Sequence, residues 1–286
     1  MAKVVFAGVV RDCAAHLPAV LSNVERLATL FDEAAYVFVE NDSVDATRQM
    51  LQSWGTPRPN FSLLNLAGLG RLAIRTLRLE FARNVYLEFI RGDPAFSGFD
   101  RLCVLDMDEV GTYPIDVQEF SAALTFMQQT PHCAAIFANQ LGPYYDVWAL
   151  RHPEYCPEDV WYEVLTWARR HGTSDQEAFN QTFARRIRSF ARDTPPVEVD
   201  SAFGGLGIYN LDYVRRGGNP YLGSRVRVLR EGGRLSTFRM QQCEHVHFHS
   251  GIRQLGGRLF LFSGLINCVT AAKVTFPASA YRQLCF

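Results

Sequence analysis

Lysine is almost missing from this chain. Only Lys3 and Lys273 occur in 286 residues, and arginine supplies the rest of the basic charge. Excess charge is missing too, since 29 basic residues face 29 acidic ones. A balanced chain lacks the positive field that grips a nucleic-acid backbone, so nucleic acid is not expected as a partner. Arginine's planar fork suits phosphate and carboxylate, but a GC-rich genome gives the same bias, and the excess alone assigns nothing. No Cys-x-x-Cys pair occurs, and the seven cysteines (13, 103, 133, 156, 243, 268 and 285) are odd in number. That argues against a disulfide framework or a structural zinc knot and fits a reducing compartment. Cys103 and Cys133 sit in apolar runs, where a free thiol behaves as a small hydrophobe. No apolar stretch reaches the ~18 residues that span a bilayer. The apolar start at Val4–Val10 breaks at Arg11-Asp12 and suits a first strand better than a signal peptide. A soluble, cytoplasmic protein is expected, with room for peripheral membrane association. Repeats, low-complexity tracts and an obvious linker are also lacking.

What is present is enough apolar material for a large core, at 48% hydrophobic residues. The first half alternates strand-like and helix-like stretches: strand 4–10, helix 14–30, strand 35–40, helix after 47, strand 61–66, helix 71–91 and strand 102–105. Such alternation predicts a mostly parallel sheet flanked by helices. Asp42 or Ser43 can cap the helix after residue 47, and Asp45 suits its positive start. Beyond residue 112 the order loosens. Helix 117–129 and strand 134–139 precede helical stretches at 158–170 and 174–191, then a glycine-rich, strand-like segment at 197–209.

The run Leu102-Cys103-Val104-Leu105 stops on Asp106-Met107-Asp108-Glu109. Four apolar residues in a row suit a strand covered on both faces, and open α/β sheets bind ligands at the carboxyl ends of their strands. Asp106 and Asp108, one residue apart, can share a hard cation such as Mg²⁺ or Mn²⁺, with diphosphate oxygens completing the shell. A solvated acidic turn would carry the same residues. Glu40-Asn41-Asp42 closes another strand, where an acid can bind a nucleobase or ribose hydroxyl or simply cap a helix. Arg71, Arg75 and Arg78 fall at i, i+4 and i+7, a phosphate-binding row or a solvated helix face. Tyr144-Tyr145-Asp146-Val147-Trp148 sets aromatic rings beside an acid, as sugar sites do and as cores do. Ser201–Gly207 carries glycines that permit close approach to a ligand or form a bulge. In Cys243–His249, an extended chain puts His245, His247 and His249 on one face and Val246 and Phe248 on the other. Those imidazoles could complete a carboxylate metal site or simply face solvent.

Taken in order, these segments resemble the GT-A glycosyltransferases, and most of all the bacterial and viral relatives of the fungal capsule-associated α-1,3-mannosyltransferases. The residues carrying the resemblance are Glu40–Thr47, Ala82-Arg83-Asn84, Leu105–Asp108, Tyr145–Arg151, Ser201–Gly205 and Cys243–Phe248. The resemblance implies a single Rossmann-type, mostly parallel sheet flanked by helices. Residues 1–112 would bind the nucleotide sugar, and the looser half, 113–286, would bind the acceptor and complete the metal site. It implies a metal-dependent hexosyltransferase using Mn²⁺ or Mg²⁺ and a GDP- or UDP-linked donor, with a hydroxyl of a glycan or other acceptor receiving the sugar. Asp106 and Asp108 match the metal-binding Asp-x-Asp, with Asp106 also at the ribose–diphosphate region. His245 or His247 matches the histidine that completes the metal site. Glu40 and Asp42 match acids near the base, and Arg83 the arginine near ribose or diphosphate. Asp146 and Asp200 are the candidates for contacting sugar hydroxyls or acting as base.

Two other functions compete. A phosphatase of the haloacid-dehalogenase type would use Asp106-Met107-Asp108-Glu109-Val110, but it needs a downstream lysine and a later acidic pair. Only Lys273 follows, with no acid after it, and about 100 residues of α/β pattern precede a motif that normally opens that fold. A non-catalytic nucleotide- or sugar-binding module would keep the acids of the second strand without a metal site.

Overall fold

Strand β1 (Lys3–Val10) shows why the amino-terminal run is buried on both sides: Val4 and Phe6 pack to one face of the sheet, Val5 and Ala7 to the other. The computed structural model describes residues 2–231, 233–270, 276–277, 281 and 283–285. After β1 come α1 (Leu17–Ala28), β2 (Glu33–Asn41), α2 (Thr47–Gly55), β3 (Phe61–Leu66), α3 (Arg75–Gly92), β4 (Arg101–Leu105), α4 (Val117–Gln129) and β5 (Cys133–Leu141). The second half adds α5 (Val160–His171), α6 (Asp175–Gln181), α7 (Phe183–Arg186), β6 (Val197–Val199), β7 (Leu206–Asn210) and α8 (Leu211–Arg216). It ends with β8 (Ser224–Glu231), β9 (Arg234–Gln241), α9 (Glu244–Gln254) and β10 (Arg258–Val269).

Eight strands form one sheet in the order β3-β2-β1-β4-β7-β5-β10-β6, while β8 and β9 stand apart as a hairpin. β1 pairs in parallel with β2 and β4, β2 with β3, and β5 with β10. β7 runs antiparallel between β4 and β5, and β6 antiparallel on β10. The mostly parallel α/β sheet is thus present, and residues from both halves of the chain build it.

Each face is closed by helices. Helix α3 lays Ala82, Tyr86, Leu87 and Ile90 on Val5, Val37, Leu102 and Val104; α1 and α4 cover Val4, Phe6, Cys103 and Leu105. Six described cysteines are buried and unpaired, and only Cys285 is exposed. Among the described residues no helix is long and apolar enough to cross a membrane. Lys273 lies outside the described residues.

The histidine segment is the main departure from the sequence expectation. Residues 244–254 are helical, not extended. Their buried residues, Glu244, His245, Phe248, His249, Gly251 and Ile252, follow the helical period. Helix α3 also starts later than expected, so Arg71 lies in a separate short turn and shares no helix face with Arg75 and Arg78.

Candidate active site

The chain goes from β1 outward to β2 and β3, then crosses back to place β4 on the other side of β1. That reversal opens a crevice at the carboxyl ends of β1 and β4, where doubly wound sheets bind ligands. A cavity of about 470 Å³ occupies it. Its wall takes Arg11 and Asp12 from the end of β1, Asn41 from β2, Arg75 and Arg78 from the start of α3, and Asp106 to Val110 from the end of β4. A helix start beside two guanidinium groups favours an anion. The side-chain amide of Asn41 is buried without a hydrogen-bond partner.

The rim is stitched by the loop after β2. Val44 N–H donates to Asp12 at 2.8 Å, Cys13 N–H to the Thr47 hydroxyl at 2.7 Å, and Ala14 N–H to Asp45 at 3.0 Å. The first acid of that loop, Asp42, accepts the amides of Gly68 and Gly70, both at 2.7 Å, which holds its carboxyl below the usual range. Glu40 is buried and accepts Ser43 N–H at 2.8 Å. Both acids therefore anchor loops, and Asn41 between them lines the cavity while they do not.

Behind Asp106 lies a buried arginine. Arg83, 3% exposed, donates from Nε to Glu244 at 2.9 Å and from Nη2 to Asp106 at 3.1 Å, while Nη1 has no partner. Its neighbour Asn84 exchanges hydrogen bonds with the backbone of Tyr221. Burial pushes the Asp106 carboxyl up, Arg83 opposes this, and the nearby Asp108 charge adds to it. Arg83 so serves to orient Asp106 rather than to line the cavity itself.

Asp146 does not line the cavity but belongs to the same polar cluster, near the charges of Asp106 and Glu244. It accepts Gly204 N–H at 3.0 Å and Ala149 N–H at 3.2 Å. Burial raises its pKa to about 7, with the charges of Asp106 and Glu244 acting in the same direction. Gly204 and Gly205, at φ of +66° and +87°, link the two acids: Gly204 N–H holds Asp146, and the Gly205 carbonyl accepts Asp106 N–H at 2.9 Å. Left-handed φ at two successive positions, in a space with no room for a Cβ, requires glycine.

Other expected residues are not brought together. His245 and His247, two positions apart on a helix, point in different directions. His245 is buried and stacks on Phe203 at 3.9 Å between ring centres, with both ring nitrogens unpartnered. Burial, then the Arg83 charge, keeps it neutral. His247 is half-buried, with Arg225 and Glu80 as its charged neighbours, and does not join the carboxylates. His249 is enclosed between Ser201 and Tyr209. Asp200 follows β6, which runs against β10, and pairs with Arg253 at 2.6 Å; it does not line the cavity. Tyr144 is a core residue whose hydroxyl accepts Phe203 N–H, and Trp148 donates to Asp159, so these two rings are structural. Glu244 went unnoticed in the sequence, because its partner Arg83 is 161 residues away.

Among the described residues no three His, Cys, Asp or Glu side chains form a ready metal cage. Asp106 and Asp108 still fit a hard divalent cation, which takes one or two protein carboxylates and fills its shell from substrate phosphates and water. The arginines on the same cavity fit the phosphates.

No protein-family model matches the chain, and no curated protein matches it in sequence. Solved structures do. A mannosyltransferase from Pyrobaculum calidifontis, PcManGT, in complex with GDP-mannose and Mn²⁺, aligns with a TM-score of 0.51 at 15% identity over 94% of this chain. TarS from S. aureus aligns with a TM-score of 0.53 at 12% identity over 95% of this chain. The chain spans 57% of the first structure and 37% of the second. At these identities the likeness is one of fold.

Proposed function

We propose that the protein is a metal-dependent hexosyltransferase that moves a sugar from a nucleoside diphosphate to a hydroxyl of a glycan or other acceptor. The observation that carries this is the pair Asp106 and Asp108 at the β1/β4 crevice, sharing one cavity with Arg75 and Arg78. Nucleoside and ribose would lie along the Arg11–Cys13 and Asn41 side, with the unpaired Asn41 amide as a donor. Arg75 and Arg78 would take the diphosphate. Asp106 and Asp108 would hold Mn²⁺ or Mg²⁺, whose positive charge stabilises the leaving diphosphate. Arg83 fixes the Asp106 carboxylate from behind. Asp146, with a pKa near 7, is suited to bind a sugar hydroxyl or take the acceptor proton at neutral pH. In this reading residues 1–112 serve the donor and residues 113–286 the acceptor.

Thermal unfolding with GDP-, UDP- and dTDP-sugars, with and without Mn²⁺, tests the reading. A donor at 100 times its Kd stabilises the native state by about 2.7 kcal/mol, and the gain should need the metal. Full transfer activity in excess chelator, or unchanged activity in Asp108→Ala, would overturn it. Donor binding without transfer to any hydroxyl would favour the binding module instead.

A further inference from the structure

The β8–β9 hairpin serves no purpose in the sheet. Its strands pair Val226 with Arg239, Val228 with Thr237 and Arg230 with Leu235, so these six residues share one face. That face looks outward: Val226 and Val228 are each 53% exposed and Leu235 is 63% exposed. Arg230 and Arg239 are exposed on the same face, Arg239 also donating to the Ser224 hydroxyl at 2.9 Å, and Arg234 is exposed on the other face near the turn. The opposite face is anchored, with Leu229 and Met240 buried and Arg227 bonded to Glu158 and lying over Tyr162. The strands hold five arginines and one acid in sequence.

We propose that this outward face docks the protein reversibly on an anionic lipid surface. Aliphatic side chains standing among arginines fit such a surface, where the apolar groups enter the headgroup–acyl boundary and the guanidinium groups meet phosphate. A soluble polyanion would account for the arginines and leave the three aliphatic residues in water. A second copy using the same face would set Arg230 and Arg239 against their own like charges. Three small side chains also fall well short of the ~800 Å² per partner of a stable protein interface.

The hairpin is rigidly rooted. Gly223 N–H donates to Glu80 at 2.6 Å, and the Thr76 hydroxyl donates to Gln241 at 2.9 Å. Both partners lie on α3, whose Arg75 and Arg78 line the cavity, so docking would set that cavity close to the lipid surface.

Co-sedimentation of the full chain with phosphatidylcholine vesicles, alone or mixed with phosphatidylglycerol, tests the proposal without donor or metal. Binding is expected only with the anionic lipid. Arg230→Gln with Arg239→Gln should lower partitioning about 25-fold, at roughly five-fold per arginine near the surface. The triple change Val226→Ser, Val228→Ser, Leu235→Ser keeps all charges and should lower it at least ~10-fold. The triple variant should unfold at the wild-type temperature, and the arginine variant within about 2–4 °C of it, since Arg239 gives up one hydrogen bond to the Ser224 hydroxyl. No binding to anionic vesicles, equal binding by the triple variant, or binding to dextran sulfate but not to vesicles overturns the proposal. So does a concentration-dependent dimer that the triple variant disperses.

Discussion

Replacing His249 should remove one defined part of the protein's acid sensitivity. The imidazole is wholly buried, with Nδ1 2.8 Å from the Ser201 hydroxyl and Nε2 3.0 Å from that of Tyr209. A neutral ring needs one donor and one acceptor, and the two hydroxyls can rotate to supply both. Burial first, and then the Arg83 charge, lower its pKa to about 3. In the unfolded chain it titrates near 6.5. A base depressed in this way supports the fold above pH 6.5, and the support is lost as the pH falls towards 3, because the unfolded state takes the proton first. At pH 5 the chain lies 1.5 pH below the ordinary value, and each whole step costs about 1.4 kcal/mol, so the expected loss is about 2 kcal/mol. Asp146 works in the opposite direction. Its raised pKa favours the folded state below about 4 and withdraws that help as the pH rises through about 7. The assay is therefore urea unfolding of wild type and His249→Gln at pH 7.5 and at pH 5.0. Everything else that titrates is common to both proteins. Wild type should lose about 2 kcal/mol more than the variant between the two pH values. A difference near zero would refute the reasoning, since it would mean that the folded protein accepts the proton on His249, with both hydroxyls acting as acceptors.

Arg83→Met should cost about 3–5 kcal/mol in urea unfolding, because it leaves Glu244 charged and buried without its partner; a loss under about 1 kcal/mol would contradict this. Gly205→Ala forces a Cβ to 2.6 Å from Val110 at a φ of +87° and should cost about 2 kcal/mol or more, read as a lower midpoint of thermal unfolding. Asp146→Asn should raise stability at pH 8 and leave it little changed at pH 4, since only the charged carboxylate is disfavoured there; equal effects at both pH values would speak against it. Asp108→Ala removes a half-buried acid whose one hydrogen bond is to Val110 N–H at 3.1 Å, so it should cost about 1 kcal/mol of stability yet abolish metal-dependent donor binding, measured by calorimetry.

Much of the fold was local enough to be legible in the residues. The first four strands and their helices carry mainly apolar runs or a helical period, and the structure has them in the expected order. The acids ending β4 were visible because a buried strand must stop where carboxylates begin. The histidine segment failed for a matching reason. Over seven residues, Cys243–His249 alternates like a strand, and only the continuation to Ile252 exposes the helical spacing of Glu244, Phe248 and Ile252.

The sequence by itself determined the strand–helix order, the excess of arginine over lysine and the placing of Asp106 and Asp108 at a strand end. Only the tertiary structure decided which residues meet there. It turned Glu40 and Asp42 into loop anchors, left Asp200 paired with Arg253, and brought Glu244 beside Arg83. Periodicity reports how one segment meets a core, whereas a site is set by which strands lie side by side. Placing β4 beside β1 is a property of the whole sheet, and no window of sequence contains it.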